Sequence, residues 1–376
     1  MAGWNYGDIL DAVDAIVPAQ RIALIHGDHA VSWGDFSRRT NNLARALLRS
    51  GVRPGDKIAF YMRNRAQYSE GIAAAFKARL THVNVNYRYV DHELEYLLDN
   101  SDAVAVIYAA EFSNRVSAIR ARLPNVRHWI EVADGHPGAT DAIDYEVLAG
   151  DGDGAPLGIE RSGDDMLFLY TGGTTGMPKG VMWRHDDLWR GTAAGGNPRI
   201  GVPPSPGLGS YIERLRNEQP PVNLPLPPMM HGTGLLSAVS AMMHGGTCVT
   251  LRSRSFDADE ALAAIERHRV TAATIVGDAF ARPLVEALDG ATVKRDISSL
   301  RFINSSGVMW TREVKAGLLR HNAALTLIDG FASSEALGLG SSVMTKDQAV
   351  DVAKFSLGPT CKVFSEDHRE VLPGSG

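Results

Sequence analysis

The chain has 376 residues, 44% of them hydrophobic and 22% charged, a length and balance that suit a soluble globular protein with a large core and exclude a disordered or fibrous one. Its formal net charge of −5 argues against a dedicated nucleic-acid binder. Its two cysteines, Cys248 and Cys361, lack C-x-x-C spacing, which excludes a disulfide scaffold and a Cys-rich zinc site and makes a reducing cytoplasm the default.

The N-terminal stretch MAGWNYGDILDAVDAIVPAQ lacks the basic-then-apolar layout of a signal peptide. No run approaches the roughly 20 apolar residues of a membrane span, and residues 234–246 read as a buried helix. Further along, Ser32-x-x-Asp35 is a capping-box signature. Phe36, Leu43, Leu47 and Leu48 then share one helical face, and Gly51 ends the element. A strand is predicted at KIAFYM, helices at AAAFKARL and DHELEYLLDNS, and a strand at AVAVIY. This alternation predicts βαβ units and a mostly parallel sheet.

Residues 134–158 read as a surface loop, a candidate separator of two lobes. MLFLY, TCVTL, TAATIV, LRFIN and LTLID are short apolar runs, as expected of parallel strands buried on both faces. Residues 193–210, rich in Gly and Pro, read as a second surface loop. There is no tandem repeat.

Chemistry concentrates at the strand ends, where open α/β sheets bind ligands. MLFLY runs into TGGTTGMPKG, residues 171–180. Its four glycines let the backbone approach a phosphate and aim N–H groups at it. Thr171, Thr174 and Thr175 add hydroxyls, and Lys179 adds a mobile positive charge. The loop is not a Walker A motif, because Pro178 precedes Lys179 and Gly180 follows it. A flexible surface loop is the plain alternative.

In GFASSE, Glu335 is of the type that holds Mg²⁺, Ser334 could bond a phosphate, and Phe331 could stack on a base. Asp329 could accept from an adenine amino group. Taken alone, the segment could equally be a Ser-rich turn capping a helix. His231 follows LPLPPMM with Gly232 and Gly234 beside it and suits a pocket wall, although a lone histidine is more often structural. Met229, Met230, Met242 and Met243 suit either an adaptable apolar pocket or plain core.

Together these segments resemble the adenylate-forming superfamily of acyl-CoA synthetases, nonribosomal-peptide adenylation domains and luciferases. TGGTTGMPKG with GVMWRHDDL resembles its phosphate loop. LPLPPMMHGTG resembles the His-containing acyl-pocket segment, SSGVMW the glycine turn against adenine, and DGFASSE the later aromatic-Gly-x-Thr-Glu signature. Weaker similarity covers the N-terminal half. In this chain Phe331 stands for the commoner Tyr, Ala332 for Gly and Ser334 for Thr, while Val308 and Met309 replace the frequent Ala-Pro.

The resemblance implies an α/β fold of two packed αβαβα lobes with mostly parallel sheets, plus a small β-rich, distorted-barrel lobe. The approximate lobes are 1–160, 161–320 and 321–376. It also implies that a small C-terminal domain with a catalytic lysine lies beyond this large N-terminal domain. Lys179, Glu335, Ser334 and His231 become the catalytic candidates, with Glu335 the Mg²⁺ ligand. Thr171, Gly172, Gly173, Thr174, Thr175, Gly176, Gly307, Val308, Met309, Asp329, Gly330 and Phe331 become the nucleotide-binding candidates. The implied reaction joins a hydrophobic carboxylic acid to AMP from ATP and then transfers the acyl group to CoA. An acyl-AMP ligase loading a carrier protein, or an ATP-binding module without turnover, are the alternatives. Neither nucleic acid nor a transmembrane segment is expected, while peripheral membrane contact and homo-oligomerisation stay open.

Overall fold

The computed structural model describes residues 3–139, 141–172, 176–348, 354–358 and 361–371. In chain order, α1 (Tyr6–Asp14) precedes the hairpin β1 (Ile22–His26) and β2 (His29–Ser32), then α2 (Trp33–Arg49). There follow β3 (Lys57–Tyr61), α3 (Ala66–Lys77), β4 (Thr81–Asn84), α4 (Asp91–Asn100), β5 (Ala103–Ala109), α5 (Ser113–Ile119), β6 (His128–Val132), β7 (Ile143–Asp144) and α6 (Tyr145–Gly150). Next come β8 (Met166–Thr171), β9 (Lys179–Arg184), α7 (His185–Gly191), α8 (Leu208–Asn217), β10 (Val222–Pro225), α9 (Gly232–Met243) and β11 (Thr247–Thr250). The rest is α10 (Ala258–His268), β12 (Ala272–Ile275), α11 (Asp278–Gly290), β13 (Phe302–Ser306), α12 (Arg312–His321), β14 (Thr326–Phe331), β15 (Gly340–Met344) and β16 (Ser356–Leu357).

The strands form two sheets. One has seven strands, ordered β7-β6-β5-β3-β4-β8-β9, and is parallel except for β9. The other has nine, ordered β16-β15-β14-β13-β12-β10-β11-β1-β2, with six parallel strands from β14 to β1 and antiparallel edges. Both sheets are buried on two faces, which is why the apolar runs show no polar alternation. In β3, Ile58 and Phe60 face one core cluster while Ala59 and Tyr61 face another. The cluster between the sheets is filled by α1, α2, α3 and α9. Outside lie α10 to α12 against the nine-stranded sheet, and α4 and α5 against the seven-stranded one. This five-layer α/β arrangement is the expected fold class.

At α2 the capping signal is realised: Ser32 Oγ accepts from the Asp35 N–H at 3.1 Å, and Phe36, Leu43 and Leu47 are buried. Helix α3 starts well before the segment AAAFKARL that announced it, and 11 of its 12 residues are buried. It lies between two sheets, so it has no polar face to reveal its period. Its buried Glu70 is held by Arg39 at 2.7 Å and by the Tyr145 hydroxyl at 2.9 Å.

The sheets divide the chain elsewhere than at 160 and 320. The hairpin β1–β2 crosses to the second sheet, and β8 and β9 stay with the first. The segment 134–158 is no separator: it supplies β7 and α6, and Tyr145 and Ala149 are buried in the central cluster. Residues 340–357 extend the nine-stranded sheet, and among the described residues no separate barrel forms.

Candidate active site

The stem of the 171–180 loop is the antiparallel pair β8–β9, in which Thr171 pairs with Lys179 and Tyr170 with Gly180. A methyl group on Gly180 would lie 2.7 Å from the Tyr170 ring, so only glycine lets the ring cover this rung. Gly172, Gly176 and Lys179 are exposed at the loop's ends. Gly173, Thr174 and Thr175 lie outside the described residues.

Asn84, buried at the end of β4, fixes this stem. Its side chain bonds the N–H and carbonyl of Tyr170 and also donates to the Met230 carbonyl at 2.6 Å. The turn before His231 is held from the same lobe: Asn64 Oδ1 accepts from the Met229 N–H at 2.6 Å, and the Tyr68 hydroxyl donates to the Met229 carbonyl at 3.3 Å. His231 then stands exposed ahead of α9. The residue is exposed overall, but protein around its ring desolvates it, and this, reinforced by the Arg88 charge, lowers its pKa below the usual histidine value. All four methionines near it are core: Met229, Met242 and Met243 in the central cluster, Met230 in the outer one.

The turn after β13 meets this region directly, since Ser306 Oγ lies 3.0 Å from Thr233 Oγ1 on α9. Ser305 points inward and accepts from the Gly277 N–H at 2.9 Å. Gly307 has φ of 95°, a conformation that explains why glycine stands there. Beyond it Val308 and Met309 are exposed, 54% and 65%, while Trp310 is buried under the Lys315 ammonium.

Beside it, β14 pairs Gly330 with Ser306, so Phe331 follows level with Gly307. The Phe331 ring is 55% exposed. Its openness, next to two exposed apolar side chains, suits a flat ring stacked on it. No helix follows GFASSE. Ser333 and Ala336 bond through their backbones at 2.9 Å, and Glu335 is exposed on this turn. The helix-capping alternative therefore falls away. Asp329 has a partner the sequence did not announce: Oδ2 accepts from Lys315 on α12. Burial raises the Asp329 pKa and Lys315 opposes the rise. One of its two carboxylate oxygens is thus held in an ion pair with α12.

The two halves of the site touch. Trp183 Nε1 on β9 donates to the Ser334 carbonyl at 2.8 Å, joining the stem of the 171–180 loop in one sheet to the turn after β14 in the other. Thus the stem, the His231 turn, Gly307 to Met309 and Phe331 to Glu335 share one crevice at the strand ends. Sequence reasoning missed Asn84, Thr233, Trp183 and Ser306, none of which stood out by type. Asn84 had one signal, an amide flanked by Val83 and Val85 in a short strand.

The chain matches the AMP-binding enzyme family over residues 13–375. It is 34% identical over 381 residues to a medium/long-chain-fatty-acid–CoA/3-oxocholest-4-en-26-oate–CoA ligase of Mycolicibacterium smegmatis, covering 99% of this chain and 68% of that protein. It is 35% identical to the medium-chain acyl-CoA ligase Mig of Mycobacterium avium, covering 97% and 68%. In fold it is similar to an anthranilate CoA ligase, AuaEII, solved with anthranoyl-AMP, with TM-score 0.80, 19% identity and coverage of 99% and 68%. It is also similar to the N-terminal domain of FACL13 from Mycobacterium tuberculosis, with TM-score 0.72, 20% identity and coverage of 92% and 79%. The chain belongs to the family of AMP-binding, adenylate-forming enzymes.

Proposed function

We propose that this chain is the large, N-terminal, ATP- and acid-binding part of an AMP-forming acyl-CoA ligase for hydrophobic carboxylic acids, acting in the cytoplasm. The observation that carries the reading is the convergence of four motif segments in one crevice, bridged by the Trp183–Ser334 and Thr233–Ser306 contacts. The names of the relatives, which are ligases of medium- and long-chain fatty acids and of a sterol-derived acid, support an apolar acid. No helix among the described residues is long and apolar enough to cross a membrane.

In this reading the acid's own carboxylate attacks the α-phosphorus of ATP, pyrophosphate leaves, and CoA sulfur later displaces AMP. The residues position and neutralise charge. The backbone of residues 172–176 and the Lys179 ammonium hold the phosphates, with Ser334 beside them. Phe331 stacks on adenine, and the backbone of Gly307 to Met309 lines the base edge. His231 borders the acid.

Glu335 fits Mg²⁺: its carboxylate is exposed and, among the described residues, forms no ion pair. Bound there with the phosphates, Mg²⁺ would supply charge neutralisation. The test is exchange of pyrophosphate into ATP with a panel of carboxylic acids. Exchange that depends on straight-chain or sterol-derived acids is expected. Exchange driven by amino acids, or independent of any acid, would overturn the reading.

A further inference from the structure

Between α7 and α8 the chain makes a strap whose tip is closed by paired backbone bonds between Asn197 and Val202, at 2.8 and 3.1 Å. Within it, residues Pro198–Ile200 form one short helical turn. The base of the strap is tied down as well. The Ser205 N–H donates to the Ala194 carbonyl at 3.2 Å, and Arg214 bonds the carbonyls of Pro203 and Gly195. The segment read as a surface loop is therefore braced, and it carries Arg199 to the strand ends. Arg199 Nη2 lies 3.6 Å from the point a Cβ on Gly330 would occupy, and Gly330 is the partner of Ser306 in the crevice floor.

Most arginines of this chain face a carboxylate. Arg199 differs: among the described residues its guanidinium makes no ion pair or side-chain hydrogen bond. The residue is exposed overall, yet protein crowds the charged end enough for desolvation to lower its pKa. A desolvated cation without a counter-charge is costly, and the cost falls when an anion arrives. The guanidinium fork is matched in shape to carboxylate and phosphate oxygens.

We propose that Arg199 is an oxyanion-binding residue of the active-site crevice, pairing with the carboxylate of the acid or a phosphate of the nucleotide. This rests on the function proposed above, whose two substrates are both anions.

The test is equilibrium binding to the parent chain and to Arg199→Gln and Arg199→Lys. Two pairs of probes are used: ATP with adenosine, and decanoate with decanol. Arg199→Gln should weaken one charged probe by about tenfold or more, the scale of a charge-assisted hydrogen bond, and leave its uncharged partner unchanged. Loss confined to ATP assigns the phosphate, and loss confined to decanoate assigns the carboxylate. Arg199→Lys should recover part of the loss, and the melting temperature should not move. Affinities for both anions within about twofold of the parent would overturn the proposal. So would equal weakening of a charged probe and its uncharged control. A parent chain that binds neither ATP nor decanoate would overturn the proposed function itself.

Discussion

Asn84 holds Tyr170 by both of its backbone groups: Oδ1 accepts from the Tyr170 N–H at 2.7 Å, and Nδ2 donates to the Tyr170 carbonyl at 2.9 Å. The same Nδ2 reaches the carbonyl of Met230, the residue before His231. One buried amide therefore sets the stem of the 171–180 loop and the His231 turn relative to each other.

Asn84→Ala strands one N–H and two carbonyls in a site that water does not reach. At about 1–3 kcal/mol for each unmet buried group, partly relieved by relaxation, the variant should lose about 2–5 kcal/mol. A denaturant titration measures this. ATP and acid affinity should also fall together, since both turns lose the same anchor. A change in stability below about 0.5 kcal/mol would show that the clamp is replaceable.

Phe331 behaves in the opposite way. Its ring is more than half exposed and touches Phe355 at a centroid distance of 5.8 Å, so the fold gains little from it. Phe331→Ala should leave the melting temperature nearly unchanged while weakening ATP and adenosine alike by about 1–3 kcal/mol, the scale of one stacked base. Unaltered adenosine affinity would remove the base from this ring.

Glu335→Gln keeps size and removes charge on an exposed turn without an ion pair among the described residues. The variant should fold as the parent does. Its affinity for ATP should lose the increment that Mg²⁺ adds, read by titrating ATP with and without the metal. An undiminished Mg²⁺ increment would exclude Glu335 as the ligand.

The sequence made the strands legible because their apolar runs are continuous, and it made the glycine turns legible because Gly307 and Gly180 meet demands other residues cannot. It hid α3, whose burial on all sides erases the helical period. It hid the division between the sheets, because β1–β2 and β8–β9 join partners distant in the chain. At the site, motif residues could be named from their types, whereas Asn84 and Trp183 act through neighbours that only the fold brings near. Asp329 shows the converse. Its place at a strand end suggested a ligand, and Lys315, 14 residues earlier, holds one of its two oxygens.

Asp329→Asn tests that claim. The substitution leaves the Lys315 ammonium, itself 7% exposed, without its counter-charge. Breaking a buried pair on one side typically costs about 3–5 kcal/mol. Asp329→Asn should therefore destabilise the chain strongly, and Asp329→Leu combined with Lys315→Met should recover most of the loss. A variant of parental stability with weakened ATP binding would return Asp329 to the adenine.

Two histidines buried in the lobe core give the fold an acid limit. His82 stacks on Phe60 at 5.0 Å and shares a hydrogen bond of 3.2 Å with Tyr68, while His185 lies edge-on to Tyr6 and Phe76. Burial pushes the His82 pKa down to about 3 and that of His185 down to about 4, from about 6.5 when unfolded. The folded state holds both rings neutral, so the unfolded chain binds more protons below about pH 6.5. Stability is then complete above that pH and declines as the pH falls toward the folded values. The slope is about 1.4 kcal/mol per pH unit for each histidine. Between about pH 6.5 and 5 most carboxylates stay ionised, so histidines dominate, His26 among them, since burial and then the Arg65 and Arg252 charges lower its pKa to about 4. Urea midpoints across this window should fall steeply in the parent. In His82→Phe, which keeps a ring against Phe60, the slope should be shallower by the share of one histidine. A parent stability independent of pH in this window would show that the rings accept protons without unfolding.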